Sequence, residues 1–282
     1  MKNIILIIAA MFSLNVLAQE GTETKKTEPE DTTRFKVGGL EFIIIDHGDE
    51  VDTVLAEGQD IGKDVKVDKD KKKKVDDNLT YWSGFEFGPS ILFDKNGGNN
   101  IVSPYLELDP AQSFAYSLNL FEKRIPFGTD HVGLVTGLGF TQARYGFKDS
   151  YTLTANSDST WGVLDTTRAF NKNQLRATYL NVPLLLQFNT SKYDSKNFHV
   201  AVGVIGGVRI NSKTIQKFDV IGKEAKNKEK GIYNLNPFQA SATARVGYND
   251  IGLFMNYNLL SLFESGTAEE VYPLTMGISL HF

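Results

Sequence analysis

The chain has 282 residues, 34 acidic and 30 basic, a formal net charge of −4 and Cys 0. That charge balance gives no general attraction to nucleic acid, and the lack of cysteine excludes a disulfide framework and a lipid-modified cysteine anchor. Beyond the N-terminus no run of about 18 apolar residues occurs, so a helical membrane span is excluded and any insertion into a bilayer must use a barrel.

Lys2, the apolar run Ile4 to Phe12 and Val16-Leu17-Ala18 follow the order of an export signal, which assigns residues 1–18 to a signal peptide cleaved after Ala18. Residues 19–79 hold half of the 34 acidic residues. They read as a charged, largely disordered periplasmic segment, with a solvated linker from Gln19 to Asp31. A short hairpin is predicted within Phe35 to Gly48, with Gly38 and Gly39 at its turn. Lys71 to Lys74 form a solvated charge run that is also suited to anionic lipid headgroups.

From residue 80 the composition turns aromatic and glycine-rich, and period-two alternation predicts eight strands. The first, Tyr81 to Phe93, places Phe85, Phe87, Ile91 and Phe93 on one face and Glu86 and Ser90 on the other. The second, Ser113 to Phe121, opposes Phe114, Tyr116, Leu118 and Leu120 to Ala115, Ser117 and Asn119. The third, His131 to Tyr145, sets Val132, Leu134, Leu138 and Phe140 against Gly133, Gly137, Gly139 and Thr141. The fourth, Leu175 to Phe188, carries Leu180, Val182, Leu184, Leu186 and Phe188 opposite Asn181, Pro183 and Gln187. In the fifth, Phe198 to Asn211, the alternate set is Ala201, Gly203, Gly207, Arg209 and Asn211. The sixth, Phe238 to Tyr248, opposes Val246 and Tyr248 to Ser241, Thr243 and Arg245. The seventh begins at Ile251 with Leu253 and Met255 on its apolar face, and the eighth runs from Tyr272 to Phe282.

Each segment supplies the roughly 9–11 residues a tilted strand needs to cross a hydrocarbon layer. The second face decides which solvent the apolar face meets. In a soluble barrel it would carry Lys, Glu and Asp toward water; here it carries Gly, Ser, Thr, Asn and Ala, which suit a cramped interior. Connections alternate in length: long at 94–112, short at 127–130, long at 148–174, short at 190–197, long at 212–237, two residues at Asn249-Asp250 and medium at 264–270. The predicted fold is therefore all-β, an eight-stranded antiparallel up-and-down transmembrane barrel over residues 80–282, with both ends periplasmic and the long loops outside. Aromatic girdles are expected at the two interfaces, with Tyr81, Trp82, Phe127, Phe188, Phe198, Tyr248 and Phe282 below. Phe93, Phe114, Phe147, Phe238, Phe263 and Tyr272 belong to the upper one.

Three inward charges, Glu86, Arg209 and Arg245, fall near mid-strand and predict an ionic network that plugs the lumen, since unpaired charges there would be costly. His131, His199 and His281 share inward parity at the periplasmic ends, an arrangement weighed as a metal site and set aside for want of a paired acid. No GxSxG, HExxH or phosphate-cradling loop occurs, no cofactor is implied and the expectation is a non-enzyme. The loop from Tyr151 to Phe170 is rich in Thr, Ser and Asp around Trp161, which makes Trp161 the candidate surface contact for a ligand or protein partner.

The strand Tyr179 to Phe188 (YLNVPLLLQF), the glycine-spaced Gly133 to Phe140 (GLVTGLGF) and the opening Trp82 to Gly88 (WSGFEFG) resemble the Bacteroidetes outer-membrane β-barrel family called PorT-like, similar in shape to OmpA and OmpX barrels. The terminal MGISLHF, ending at Phe282, looks like the closing strand that barrel-insertion machinery reads. The resemblance covers about 200 residues and implies a fold and mixed roles that include accessory parts of secretion and gliding systems; the chain itself reads as a monomer in outer membrane lipid, with docking of a secretion component through the acidic periplasmic segment as an alternative. It carries over no functional residue.

Overall fold

The computed structural model describes residues 31–37, 40–46, 79–129, 131–191 and 197–282. Residues 1–18, expected to form a signal peptide, and Lys71 to Lys74 lie outside the described residues. The chain divides into two compact units, Met1–Lys73 and Lys74–Phe282. In the first, β1 (Asp31–Val37) and β2 (Leu40–Asp46) pair antiparallel from Asp31↔Asp46 to Val37↔Leu40. The hairpin starts at Asp31 instead of Phe35, because the β-branched Thr32 and Thr33 favour a strand that the surrounding charges had disguised.

The second unit is built from β3 (Gly84–Asp94), β4 (Phe114–Pro126), β5 (Val132–Gly146), β6 (Tyr151–Ala155), β7 (Thr160–Leu164), β8 (Phe170–Asn189), β9 (Phe198–Val220), β10 (Lys223–Lys230), β11 (Phe238–Tyr248), β12 (Ile251–Asn258) and β13 (Val271–His281). Eight of these close a ring in the order β3-β4-β5-β8-β9-β11-β12-β13, with β13 returning to β3 and every pairing antiparallel. Closure leaves no open edge in the wall, the one arrangement by which strands satisfy their backbone groups in lipid. The apolar residues point outward as predicted: Phe85, Phe87, Ile91, Leu184, Val204, Leu253 and Ile278 are 40–59% exposed. Their neighbours in sequence Glu86, Ser90, Leu185, Ile205 and Ser279 are buried inside.

The structure corrects the strand limits at four places, each with a local cause. The first predicted strand begins at Gly84, not Tyr81; residues 79–83 turn into the lumen, so Tyr81 and Trp82 leave the lower girdle and are buried. The strand β4 runs on to Pro126 through a bulge between Asn119 and Phe121, which reverses its parity and turns Arg124 inward. The pairing of β8 with β9 also shifts between Thr178 and Tyr179, leaving Ile210 as the extra residue, so that Asn211 is exposed instead of inward. Finally, the long connections at 148–174 and 212–237 are largely strand. The first holds the β6-β7 hairpin and the start of β8; the second holds the upper part of β9, a turn at Ile221 and Gly222 with φ of 50° and 75°, and β10. The two-residue turn Asn249-Asp250 is present between Tyr248 and Ile251.

At the end of the barrel that carries the long connections, these segments pack into a crown with its own core. Leu106, on a short 3-10 helix (Pro104–Leu106), packs there with Leu153, Tyr233, Leu235 and the inward residues Tyr145, Leu175 and Tyr179. Phe147 and Phe263, predicted for the upper girdle, are buried in this core, because the loops fold back over the barrel mouth and cover them. Thr160 ties the β6-β7 hairpin down: its N–H donates to Thr267 O at 2.7 Å, its hydroxyl to Tyr233 O at 3.0 Å, and its carbonyl accepts from Tyr105 OH at 3.1 Å. The Glu269 carboxylate accepts from the N–H groups of Val102 and Ser103 at 2.8 and 2.7 Å and holds the first loop across the mouth.

Candidate functional site in the barrel lumen

The lumen is filled in layers, beginning at the end with short turns. Leu79 O accepts from Gln187 Nε2 and Asn189 Nδ2, both at 3.2 Å, and Tyr81 N–H donates to Gln187 Oε1 at 3.3 Å. The Tyr81 ring stacks on His199 at 3.7 Å and 4°, and His281 meets both rings edge-on. Tyr81 OH accepts from Asn197 Nδ2 at 3.0 Å. His199 and His281 are thus brought together around a phenol, while His131 bonds the Asn189 carbonyl at 2.9 Å. Among the described residues no three His, Asp or Glu side chains converge as metal ligands.

One layer deeper lies Trp82, 1% exposed. Its seat is prepared on β5, where a Cβ at Gly137 would stand 2.8 Å from the indole Cδ1 and one at Gly139 3.2 Å from Cζ2. The glycines read in the sequence as small inward residues are therefore a flat platform for a large ring. Glu122, brought inward by the β4 bulge, accepts from the N–H groups of Trp82 and Ser83 at 2.8 and 2.7 Å. Val135, Leu185, Ala201 and Ile205 surround the indole.

Above Trp82, the Glu86 carboxylate on β3 forms an ion pair with Arg245 Nη1 on β11 and accepts from Asn119 Nδ2 at 3.0 Å. Glu86 and Arg245 are 2% and 5% exposed. The guanidinium also lies 4.7 Å from the Trp82 ring centre and 5.9 Å from that of Phe254, so aromatic faces share its charge. Of the three residues predicted to form this network, the structure joins Glu86 and Arg245 and separates Arg209. The Arg209 guanidinium donates to Ser212 Oγ at 2.9 Å and Leu235 O at 3.1 Å, because its place near the upper end of the β9 wall leaves it beneath the crown. Trp161 stands on β7, 38% exposed, with Val163 beside it on the same face of the hairpin.

Next comes a belt of hydroxyls and amides: Ser117 to Thr141 at 2.8 Å, Asn181 to Thr141 at 2.7 Å and Ser241 to Asn258 at 2.6 Å. With Trp82, Glu86, Tyr145, Ile205 and Phe254 it lines a small cavity of about 30 Å³, room for one or two waters. Trp82 and Glu122 were missed as lumen residues because Trp82 depends on the inward turn of residues 79–83 and Glu122 on the change of face at the β4 bulge. Glu122 one residue beyond a predicted strand end was the available signal.

A family model described as outer membrane protein beta-barrel domain matches residues 70–265. The chain belongs to this outer membrane β-barrel family. Among solved structures, it is similar to the crystal structure of Ail, the attachment invasion locus protein of Yersinia pestis, at 14% identity and TM-score 0.30, covering 71% of this chain and 99% of that one. A second Ail structure, in complex with the heparin analogue sucrose octasulfate, gives 14% identity, TM-score 0.29 and coverage of 71% and 96%. No curated protein matches the chain.

In this barrel, removing the Glu122 acceptor by Glu122→Ala is expected to loosen the Trp82 segment, at a stability cost of about 2–4 kcal/mol for two hydrogen bonds to a charged group. The chain has Trp 2, so a Trp161→Phe background leaves Trp82 as the reporter. Acrylamide quenching of its fluorescence is expected to rise clearly in Glu122→Ala and to stay low in the background protein.

Proposed function

We propose that this outer membrane barrel is sealed, conducts no ions, and works by binding instead of catalysis, as a rigid platform that presents its crown of long connections outside the cell. The observation that carries the reading is the stack of buried side chains from Tyr81 through Trp82 and the Glu86–Arg245 pair to Leu106 and Leu235 under the loops, interrupted by no space larger than a water or two. Eight strands enclose a space that side chains just fill, and here an indole, an ion pair and an apolar cap fill it in turn. The charge pair stands where a water column would run, with Asn119 completing the contacts of Glu86 and the Trp82 and Phe254 rings flanking Arg245. The opening Trp82 to Gly88, which resembles PorT-like barrels, supplies two of these plugging groups.

The test is single-channel recording of the full chain in planar bilayers. The wild type is expected to give no steady conductance across a wide voltage range. Large, stable openings in correctly folded protein would remove the sealed reading. A partner-binding role is favoured by the β6-β7 hairpin. Thr160, beside its turn, and Leu153, at its middle, are buried and hold it down, while Trp161, Val163 and Leu164 stay 38%, 49% and 50% exposed. Apolar side chains left exposed along a docked hairpin suit a protein or ligand contact.

A further inference from the structure

The wall does not end where its apolar belt ends. Above Leu180 on β8 and Val208 and Ile210 on β9, the outward face of the sheet changes to cations, and the strand register aligns them. Arg144, Arg176, Lys213 and Lys230 form one continuous cross-strand row over β5, β8, β9 and β10, each directly opposite the next. Higher on the same face, Lys172, Lys217 and Lys226 form a second row, and Lys228 on β10 lies between the two. Like charges directly opposite one another destabilise a sheet. Among the described residues, only Lys217 of these eight has a carboxylate partner, Glu224 at 2.7 Å. A fold that assembles such rows without neutralising them leaves the neutralisation to something outside the chain.

The place of the grid says what that is. Leu180 belongs to the apolar belt, and Arg176 stands four residues above it, about 13 Å of strand and about 10 Å along the barrel axis at the usual tilt. The headgroup layer adds roughly 5–7 Å to each side of the hydrocarbon core, so the lower row stands at its outer side, level with Phe114 opposite Arg144 and within a long side chain's reach of the phosphates, and the upper row rises beyond it. The side chains point the right way, since Leu175, Ala177, Ser212 and Thr214 alternate with them and face inward. Arg144 is already placed. Its guanidinium lies 4.9 and 4.8 Å from the ring centres of Phe114 and Tyr116 and donates to Tyr116 OH at 2.9 Å, which pins it flat against the outer wall. Burial first, and then the neighbouring cations, hold Lys172 and Lys213 below the ordinary lysine value, an electrostatic tension that a bound anion relieves.

We propose that this cationic grid binds the phosphate groups of lipid headgroups in the leaflet around the loop end of the barrel. The inference rests on the reading of the apolar belt as lipid-facing. Spin-labelled lipids separate the two. The full chain is reconstituted in phosphatidylcholine vesicles carrying either spin-labelled phosphatidic acid or spin-labelled phosphatidylcholine, and the fraction of immobilised lipid is measured for each. The wild type is expected to prefer phosphatidic acid about fivefold, the scale of a few interfacial cations. The preference should fade between about 0.1 and 1 M salt as the screening length falls from about 10 to 3 Å. Arg176→Gln with Lys213→Gln should bring it below twofold. So should Lys228→Gln with Lys230→Gln, which lie on β10 outside the barrel ring and leave the wall intact. An unchanged preference in both variants overturns the proposal. So does its abolition by millimolar inorganic phosphate at constant ionic strength, which would make the grid a site for soluble phosphate. If neither lipid is immobilised at all, the belt reading fails instead.

Discussion

Replacing Arg245 with alanine is expected to destabilise the barrel by about 3–5 kcal/mol, because it leaves the Glu86 carboxylate buried without its counter-charge. Glu86 would keep only the Asn119 amide, at 3.0 Å, in a layer closed on one side by Trp82. The converse change, Glu86→Ala, strands a guanidinium that still has the faces of Trp82 and Phe254, so its cost should be somewhat smaller. The double change Glu86→Leu with Arg245→Met removes both charges at similar volume and should restore most of the loss, since a buried ion pair and a well-packed apolar pair are often nearly equivalent. Urea unfolding of the vesicle-inserted protein, followed by tryptophan fluorescence, gives all three values. If each single change costs under about 1 kcal/mol, the pair is hydrated and the plug is not dry.

The second large effect is expected at the seam between the first and last strands of the barrel. Gly88 on β3 and Gly277 on β13 stand in the stretch between the paired residues Ser90↔Thr275 and Phe87↔Ile278. Pro89 at this point has no N–H to give the ladder, and the two backbones approach closely. A Cβ at Gly277 would collide with the Phe87 carbonyl oxygen and lie 2.5 Å from the Gly88 Cα; a Cβ at Gly88 would collide with the Met276 carbonyl oxygen. These are backbone atoms that cannot swing aside. Gly277→Val should therefore force the seam open, cost more than about 3 kcal/mol and abolish the heat-resistant folded band in gel electrophoresis. Gly206→Ala is the control. On the outer face of β9 its new Cβ would meet only Val182 O at 4.0 Å, and the effect should stay within about 0.5 kcal/mol.

The wall was legible in the sequence because lipid imposes a period-two rule on every strand, and a large residue facing out has no other place to go. Leu180 to Phe188 and Tyr272 to Leu280 show it without interruption. The lumen was legible only as chemistry. Small and polar inward residues pointed to a filled interior, and the opposite charges of Glu86 and Arg245 pointed to a pair, yet parity alone gives no height along the barrel axis. Arg209 shares that parity and stands beneath the crown, out of reach of Glu86. Trp82 was misassigned for a related reason: an aromatic beside Tyr81 at a strand end reads as an interface anchor unless one knows that the chain doubles inward before Gly84. The crown was hidden by its polarity. Lys223 to Lys230 look like a solvated loop, since nothing in a lysine-rich octet announces pairing; the pairing comes from β9, which continues past the lipid.

The bulge at Ile210 has a consequence for how β9 is divided. Below it, odd-numbered residues from His199 to Arg209 face the interior and even-numbered ones meet lipid. Above it, Ser212, Thr214 and Gln216 turn inward to Gly231, Tyr233 and Thr152, and Lys213 and Lys217 turn out. A single inserted residue thus lets one continuous ribbon obey two opposite alphabets, greasy in the bilayer and cationic above it, without a loop between them. Remove that residue and the lysines would swing under the crown while the membrane wall below kept its pattern.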